Sequence, residues 1–236
     1  MQLIWNPQDA APWQDLHARQ RGSLQQAWAY GQALQSLGVE IHRAEICSGQ
    51  RLLGQAQFQC RRLAFYIGLA SCSRGPVWAQ DTTPDEQRQA LALLKKSIPT
   101  RPWRATVFSP EVAAGDAQPQ ALGGLHRVMT GYSTVMLDLQ RSPADLRAAL
   151  DGKWRNRLVR AEAQQGLQVH VRASGKDVQW LLERENLQRE SRGFHALPTT
   201  FVQAYIDSHA QRSDAFVVAS ATRGRQTLGA MLFLRH

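Results

Sequence analysis

Apolar segments of two different periods alternate twice along this chain, and that alternation restricts it to mixed α/β architectures. Leu3–Trp5 reads as a short strand. Leu24, Ala27, Trp28, Gly31 and Leu34 then recur at helical spacing over Leu24–Leu37, with Gln25, Gln32 and Ser36 opposite and Gly38 as a stop signal. Val39–Ile46 and Leu52–Gln59 read as strands joined by a turn at Ser48-Gly49-Gln50, and Leu63–Leu69 and Gly75–Trp78 add two shorter apolar runs. Thr83-Pro84-Asp85-Glu86 spells a capped helix start: Thr83 can accept from the Glu86 N–H, Glu86 can reach back, and Pro84 gives up no donor the first turn needs. Leu91, Leu94 and Ile98 carry that stripe to Pro99, and Arg104–Phe108 follows as a strand.

The second half repeats the order. Thr134–Leu139 is strand-like, and Ser142-Pro143-Ala144-Asp145 caps a helix bearing Leu146 and Leu150. Trp154–Gln165 is helical up to Gly166, and Leu167–Val171 is a strand. Helices over Lys176–Glu190 and Thr199–His209 precede two terminal strands, Phe216–Ser220 and Leu228–Leu234. Each half thus runs from a strand through helices to a meander. The echo implies two related α/β (α+β) domains, residues 1–125 and 126–236, with the Ala-, Gly-, Gln- and Pro-rich Pro110–Gly124 as the link. The last strand has no successor to pair with, and free edges are ordinarily covered, so either another molecule supplies the edge or, as is expected here, the second domain is truncated.

Charge narrows the partners. Lys and Arg number 28 against 19 Asp and Glu, for a formal charge of +9. Nucleic acid, a nucleotide cofactor, a phosphorylated metabolite or a lipid surface would each suit such a chain, although basic proteins exist that bind none of them. No apolar run approaches the ~20 residues of a membrane helix, and the start lacks a basic segment followed by a long apolar one, so neither a transmembrane segment nor a signal peptide is read. Cys47, Cys60 and Cys72 are odd in number and form no CxxC pair. They read as small core residues of a protein in the reducing cytoplasm. The seven histidines are scattered without metal-ligand spacing among His, Asp and Glu, so no metal site is expected.

Three segments could carry chemistry. Within Gly152–Glu162 (GKWRNRLVRAE), Lys153, Arg157 and Arg160 fall in about a 60° sector of a helical wheel, beside an apolar face of Trp154, Leu158 and Ala161. Such cations can clamp phosphate, with Trp154 read as a buried anchor; a merely solvated basic face is the alternative. Arg74-Gly75-Pro76 turns the chain sharply after an apolar strand and sets Arg74 at the strand end, where an ordinary turn is the competing reading. In Arg189–Pro198, His195 is the one candidate general base, against the alternative of a bystander in a loop. Neither GxxxxGK[ST] nor GxGxxG is present.

Taken in order, Gln25–Gly31 (QQAWAYG), Arg74–Trp78 (RGPVW), Lys153–Glu162 with Gly166 and Val169, Arg192–Pro198 (RGFHALP) and Gly229–His236 (GAMLFLRH) resemble the Fem family of peptidoglycan interpeptide-bridge enzymes and its relatives among GNAT-type acyltransferases. The resemblance implies tandem GNAT-like domains, the second truncated. It implies transfer of an amino acid from aminoacyl-tRNA to an amine of a muropeptide precursor in peptidoglycan (cell-wall) biosynthesis, with no tightly bound cofactor. By this resemblance Arg74 and Gly75 match the turn against which the precursor docks, and Lys153, Arg155, Asn156 and Arg157 match a basic helix facing the phosphorylated acceptor or the tRNA end. The family's helical-hairpin insertion is not evident here, and the turn of the second unit that would hold a cofactor is expected beyond His236, which leaves acyl-CoA as an alternative donor to another acceptor. Peripheral contact with the inner membrane surface is compatible with this setting. A third reading is a non-enzymatic RNA- or membrane-surface-binding module, which would need aromatics interleaved with the cations.

Overall fold

The computed structural model describes residues 1–63, 67–100, 103–112, 125–131, 133–173, 175–193 and 198–236, Trp103 by its backbone alone. They form a mixed α/β chain with two sheets, divided into two compact units: Met1–Thr130 with His195–Ala215 and Arg235–His236, and Gly131–Phe194 with Phe216–Leu234.

In the first unit, β1 (Gln2–Trp5), β2 (Glu40–Ser48), β3 (Arg51–Arg62) and β4 (Ile67–Ser73) pair antiparallel in that order, and β6 (Trp103–Ser109) joins β4 in parallel. The long β3 serves two partners. Its far end, Gln59–Arg62, pairs with β4, whereas Gly54 and Gln55 pair with the two-residue β5 (Val77–Trp78). Strict alternation along Gly54–Cys60 gives the sheet two faces. Ala44, Ile46, Ala56, Phe58 and Cys60 bury against Ala90, Leu94 and Ile98 of and just after α3 (Pro84–Ser97). Arg43, Gln55 and Gln57 turn to the other face and are buried there, on the side that Trp28 of α2 (Trp28–Ser36) and Trp13 of α1 (Ala11–Arg19) reach by hydrogen bonds. The capping box at Thr83 and Glu86 forms as the sequence indicates. A helix from later in the chain, α7 (Thr199–Asp207), also belongs to this unit, packing Phe201 on Tyr30 with ring centroids 5.0 Å apart; the four-residue α8 (Arg212–Ala215) follows it.

The helix expected over Leu24–Leu37 is broken. Leu24–Gln26 is a single 3₁₀ turn, Ala27 is extended, and α2 begins at Trp28. The cause is Gln26, whose carbonyl accepts the Trp13 indole N–H at 2.9 Å and whose side chain is committed to β3, so its backbone cannot continue into a regular helix.

The second unit holds α4 (Pro143–Ala149), α5 (Gly152–Glu162), β7 (Leu167–Arg172), α6 (Gly175–Arg192), β8 (Phe216–Arg223) and β9 (Gln226–Leu234), the strands forming one antiparallel sheet in that order. Ser142 caps α4 by accepting from the Asp145 N–H. Gly166 takes a positive φ after α5. The strand expected at Thr134–Leu139 does not form: residues 133–138 are unpaired and Val135 is 90% exposed. An apolar run becomes a strand only where a ladder accepts it, and the described pairings of β7 are all to β8. Of the expected link Pro110–Gly124, residues 113–124 lie outside the described residues.

Candidate functional site

Two places concentrate functional groups, one in each unit. In the first unit it is the turn after β4. Gln57 pairs with Arg43 of β2 on one side, but on the side of β3 that serves β5 and β4 its backbone has no described strand opposite it, and the Gln26 side chain fills the gap. Gln26 Oε1 accepts from the Gln57 N–H at 2.8 Å, and its Nε2 donates to the Gln57 carbonyl at 3.2 Å and the Ser73 carbonyl at 2.8 Å. One side-chain amide thus stands in for a ladder residue and fixes the last residue of β4. Gly75 is pressed on the same amide: a Cβ there would lie 2.5 Å from Gln26 Cδ. Arg74, between them, adopts φ +53°, and its carbonyl accepts from Ser23 Oγ at 3.0 Å.

The Arg74 side chain, partly exposed, is ion-paired with Glu111. An incoming anion would have to compete with that carboxylate. Behind the turn, His17 Nε2 lies 2.9 Å from the Ser23 carbonyl, and its ring stacks edge-on to His236 at 5.4 Å. A carbonyl only accepts, so Nε2 carries the proton and Nδ1 is bare. Burial lowers the His17 pKa, with the Ser23 carbonyl opposing, and keeps the ring neutral. Gln57 and the buried Arg43 extend the polar layer: Arg43 Nε donates to Gln57 Oε1 at 2.7 Å and its guanidinium covers Trp28 at 4.1 Å. Burial brings Arg43 down to about 10. The sequence offered no signal for Gln26, Gln57 or the His17–His236 contact beyond the quoted QQAWAYG and GAMLFLRH segments.

The second place is α5. Asp151 caps it, accepting from the Lys153 N–H at 2.9 Å. Lys153, Asn156, Arg157 and Arg160 are exposed on one side, and no ion pair holds the three cations among the described residues. Arg155 does not join them. It lies about 160–220° round the helix, from the 3.6-residue turn, and donates to the Leu150 carbonyl at 3.0 Å. Trp154, expected as a buried anchor, is 62% exposed. The wheel identified its face correctly, but no described element covers that face; instead the Arg157 guanidinium sits 5.2 Å from its ring centroid. His195 lies outside the described residues.

The cysteines do not offer a nucleophile. Cys47, Cys60 and Cys72 are all buried, and burial raises each thiol, Cys60 to about 11 with Glu40 adding to the rise. The β2–β3 register does bring Glu40, His42 and Cys60 onto one face, their ligand atoms within 4.8 Å of one another, a trio that spacing along the sequence could not reveal. Its hydrogen bonds are those of a proton chain rather than a cation site. Asn6 Oδ1 accepts from the Arg43 N–H, so Asn6 Nδ2 must donate to His42 Nδ1, leaving the proton on Nε2 to be given to Glu40 at 2.8 Å. A metal on Nε2 would need the opposite tautomer.

No protein-family model and no curated protein sequence matches this chain. Among solved structures it is similar to one titled "Crystal structure of FemX", with a TM-score of 0.69 at 16% identity over 94% of this chain. The fold is that of FemX. This is the likeness already drawn from the ordered motifs, now carried by the backbone. The match takes in 57% of the FemX chain, so the present chain spans somewhat over half of that length. No helix among the described residues is long and apolar enough to cross a membrane.

Proposed function

We propose that this protein is an N-acyltransferase of the Fem type, built on tandem GNAT-like domains. It moves an amino acid from aminoacyl-tRNA to an amine of a phosphorylated muropeptide precursor. The observation that carries the reading is α5: three exposed cations without ion-pair partners among the described residues, on a chain that shares the FemX fold over 94% of its length. Lys153, Arg157 and Arg160 clamp phosphate, with Asn156 beside them, and Arg155 serves to hold the start of the helix. Arg74 and Gly75 shape the acceptor end in the first unit.

The chemistry needs no protein nucleophile. The neutral acceptor amine attacks the ester carbonyl, a C–N bond forms, the C–O bond to the tRNA 3′ end breaks, and the proton lost by nitrogen passes to the departing alkoxide oxygen, which leaves as the ribose hydroxyl. Three buried, raised thiols agree with direct attack. Positioning and backbone donors to the oxyanion then supply the acceleration.

The test is a transfer assay offering labelled aminoacyl-tRNA and labelled acetyl-CoA against a muropeptide precursor. Transfer from tRNA is expected, and Lys153→Glu/Arg157→Glu/Arg160→Glu should lower kcat/KM on the order of a hundredfold, given the strength of charge-assisted hydrogen bonds. Transfer from acetyl-CoA alone would move the protein to the CoA-dependent acyltransferases. Full activity in the triple variant would remove the clamp.

A further inference from the structure

We infer that Glu111 is a gate on the acceptor site: it occupies the Arg74 guanidinium in the free protein and yields it to a phosphate group of the acceptor. The inference rests on the reading of Arg74 given above and adds how that site is regulated. Its ground is a contrast between the backbone of Arg74, which is fixed, and its side chain, which is not. The Arg74 carbonyl accepts from Ser23 Oγ at 3.0 Å, Gln26 holds the Ser73 carbonyl at 2.8 Å, and Gly75 lies against the Gln26 amide. Arg74 keeps φ +53° there, a conformation that glycine would take without steric cost. Arg21, the other arginine with positive φ among the described residues, lies just past α1, where helices commonly end that way. Arg74 instead ends a strand. An arginine held where glycine fits better points to a use for its guanidinium. That group is partly exposed and is ion-paired with Glu111 alone among the described residues.

The placement of the pair suits a ligand. β4 and β6 run parallel with Ser73 opposite Ser109, so Arg74 and Glu111 both lie just beyond the carboxyl ends of these strands. Open α/β sheets gather their ligands at that end. The other titratable groups against the turn are the rings of His17 and His236, both with pKa values lowered by burial. Glu111 therefore supplies the negative charge there, and without it the turn presents a fixed cation with no anion on it. A tethered carboxylate competes at an effective concentration in about the millimolar range. The handicap is the same factor for every anion, because it is the fraction of time that Arg74 is released. A single free carboxylate is no better a partner for Arg74 than Glu111, so below that concentration it stays unbound. A phosphate brings more charge and more acceptor oxygens to the guanidinium, and it keeps its occupancy.

The experiment is calorimetric titration of the whole chain with inorganic pyrophosphate and, separately, with acetate. The chain carries Lys153→Gln/Arg157→Gln/Arg160→Gln, so that α5 adds no anion binding of its own. Pyrophosphate is expected to bind measurably more tightly than acetate. Glu111→Gln should tighten pyrophosphate about fivefold, the upper end for a partly exposed ion pair. Arg74→Gln should weaken it by roughly tenfold or more, and Arg74→Lys should keep part of the affinity. With Arg74→Gln in place, Glu111→Gln should bring no gain, which separates a gate from a general change of charge. Absence of pyrophosphate binding, acetate bound as tightly, unchanged or weaker binding in Glu111→Gln, or the same gain without Arg74 would each overturn the inference. In the transfer assay, Glu111→Gln alone should lower the acceptor KM by the same factor of about five. Transfer with both the pyrophosphate affinity and the KM unmoved by Glu111→Gln overturns the gate and leaves the proposed activity standing. Tightened pyrophosphate with no transfer from any donor leaves the gate and removes the activity.

Discussion

The two units solve the problem of a small sheet in opposite ways. The first closes on itself: Phe58 is fully buried, packed against Trp5 and Phe108, and even its polar layer of Gln26, Gln57 and Arg43 is sealed and hydrogen-bonded. The second buries, among the described residues, only Val178, Phe216 and Val218. On one face of its sheet, Val169 and Val171 of β7 and Met231 and Phe233 of β9 stay half or more exposed, as does Trp154 of α5, while Val217, Ala219 and Ala221 of the central β8 are partly covered. Burial at about 25 cal/mol per Å² is what holds a domain against chain entropy. Among the described residues, the first unit therefore carries more of the burial that stabilises the chain, and the second leaves more apolar surface exposed.

A pair of matched truncations would break that comparison most sharply. Phe58→Ala empties a site enclosed by two aromatic rings and is expected to cost about 3–5 kcal/mol. Phe233→Ala, at a side chain that is 50% exposed, should cost under about 1 kcal/mol. Urea titrations of both variants decide it. Equal losses would mean that the sheet face bearing Phe233 is closed in solution and that the contrast between the units is false.

The next test sharpens how the first unit fixes its turn. Gly75→Ala sets a methyl against the Gln26 amide, and that amide cannot swing away without releasing the Gln57 backbone and the Ser73 carbonyl. The expected cost is about 1–3 kcal/mol, the usual range for forcing extra volume into a packed site. A fall in Tm of the same sign in Gln26→Leu, with no further loss in the double variant, would show both changes acting on one lock. Additive losses would show that Gly75 and Gln26 act separately.

The sequence made most of this frame legible through signals that are local. Thr83 and Ser142 accept from the residue three positions on, Gly38 and Gly166 reverse φ where helices stop, and alternation through Gly54–Cys60 states which side chains share a face. The misses have a common physical form. A wheel shows that Trp154 and Leu158 share a side of α5, but not whether anything packs there. Thr134–Leu139 has strand composition, yet a strand is made by its neighbour. Residues Leu24–Leu37 keep helical spacing across a 3₁₀ turn because the interruption at Ala27 is caused by Gln26 reaching β3, 31 residues away. The basic sector of α5 was readable because one helix carries it. The His17–His236 contact and the Glu40–His42–Cys60 trio were not, because only the fold brings their members together.

The smallest expected effect is also the most selective for the sealed layer of the first unit. His17 is held neutral, with its pKa lowered chiefly by burial. An unfolded chain takes up a proton there near the ordinary histidine pKa of about 6.5, whereas the folded chain does so only at lower pH. The unfolded state thus binds more protons below that point, so stability contributed by neutral His17 is fully present above about pH 6.5 and is lost as pH falls. Carboxylates with lowered pKa values, Asp81 and Glu86 among them, act in the same direction at lower pH; Glu45, raised by burial, acts oppositely. The window from pH 7.5 to 5.5 therefore reports on His17 together with its neighbour His236, whose pKa burial also lowers and which acts in the same direction. His17→Gln keeps a donor for the Ser23 carbonyl but cannot titrate, and its Tm should vary less across that window than the parent's. An unchanged slope would mean that His17 is reached by water and protonates in place, and the layer behind the Arg74 turn would then be as open as the face of α5.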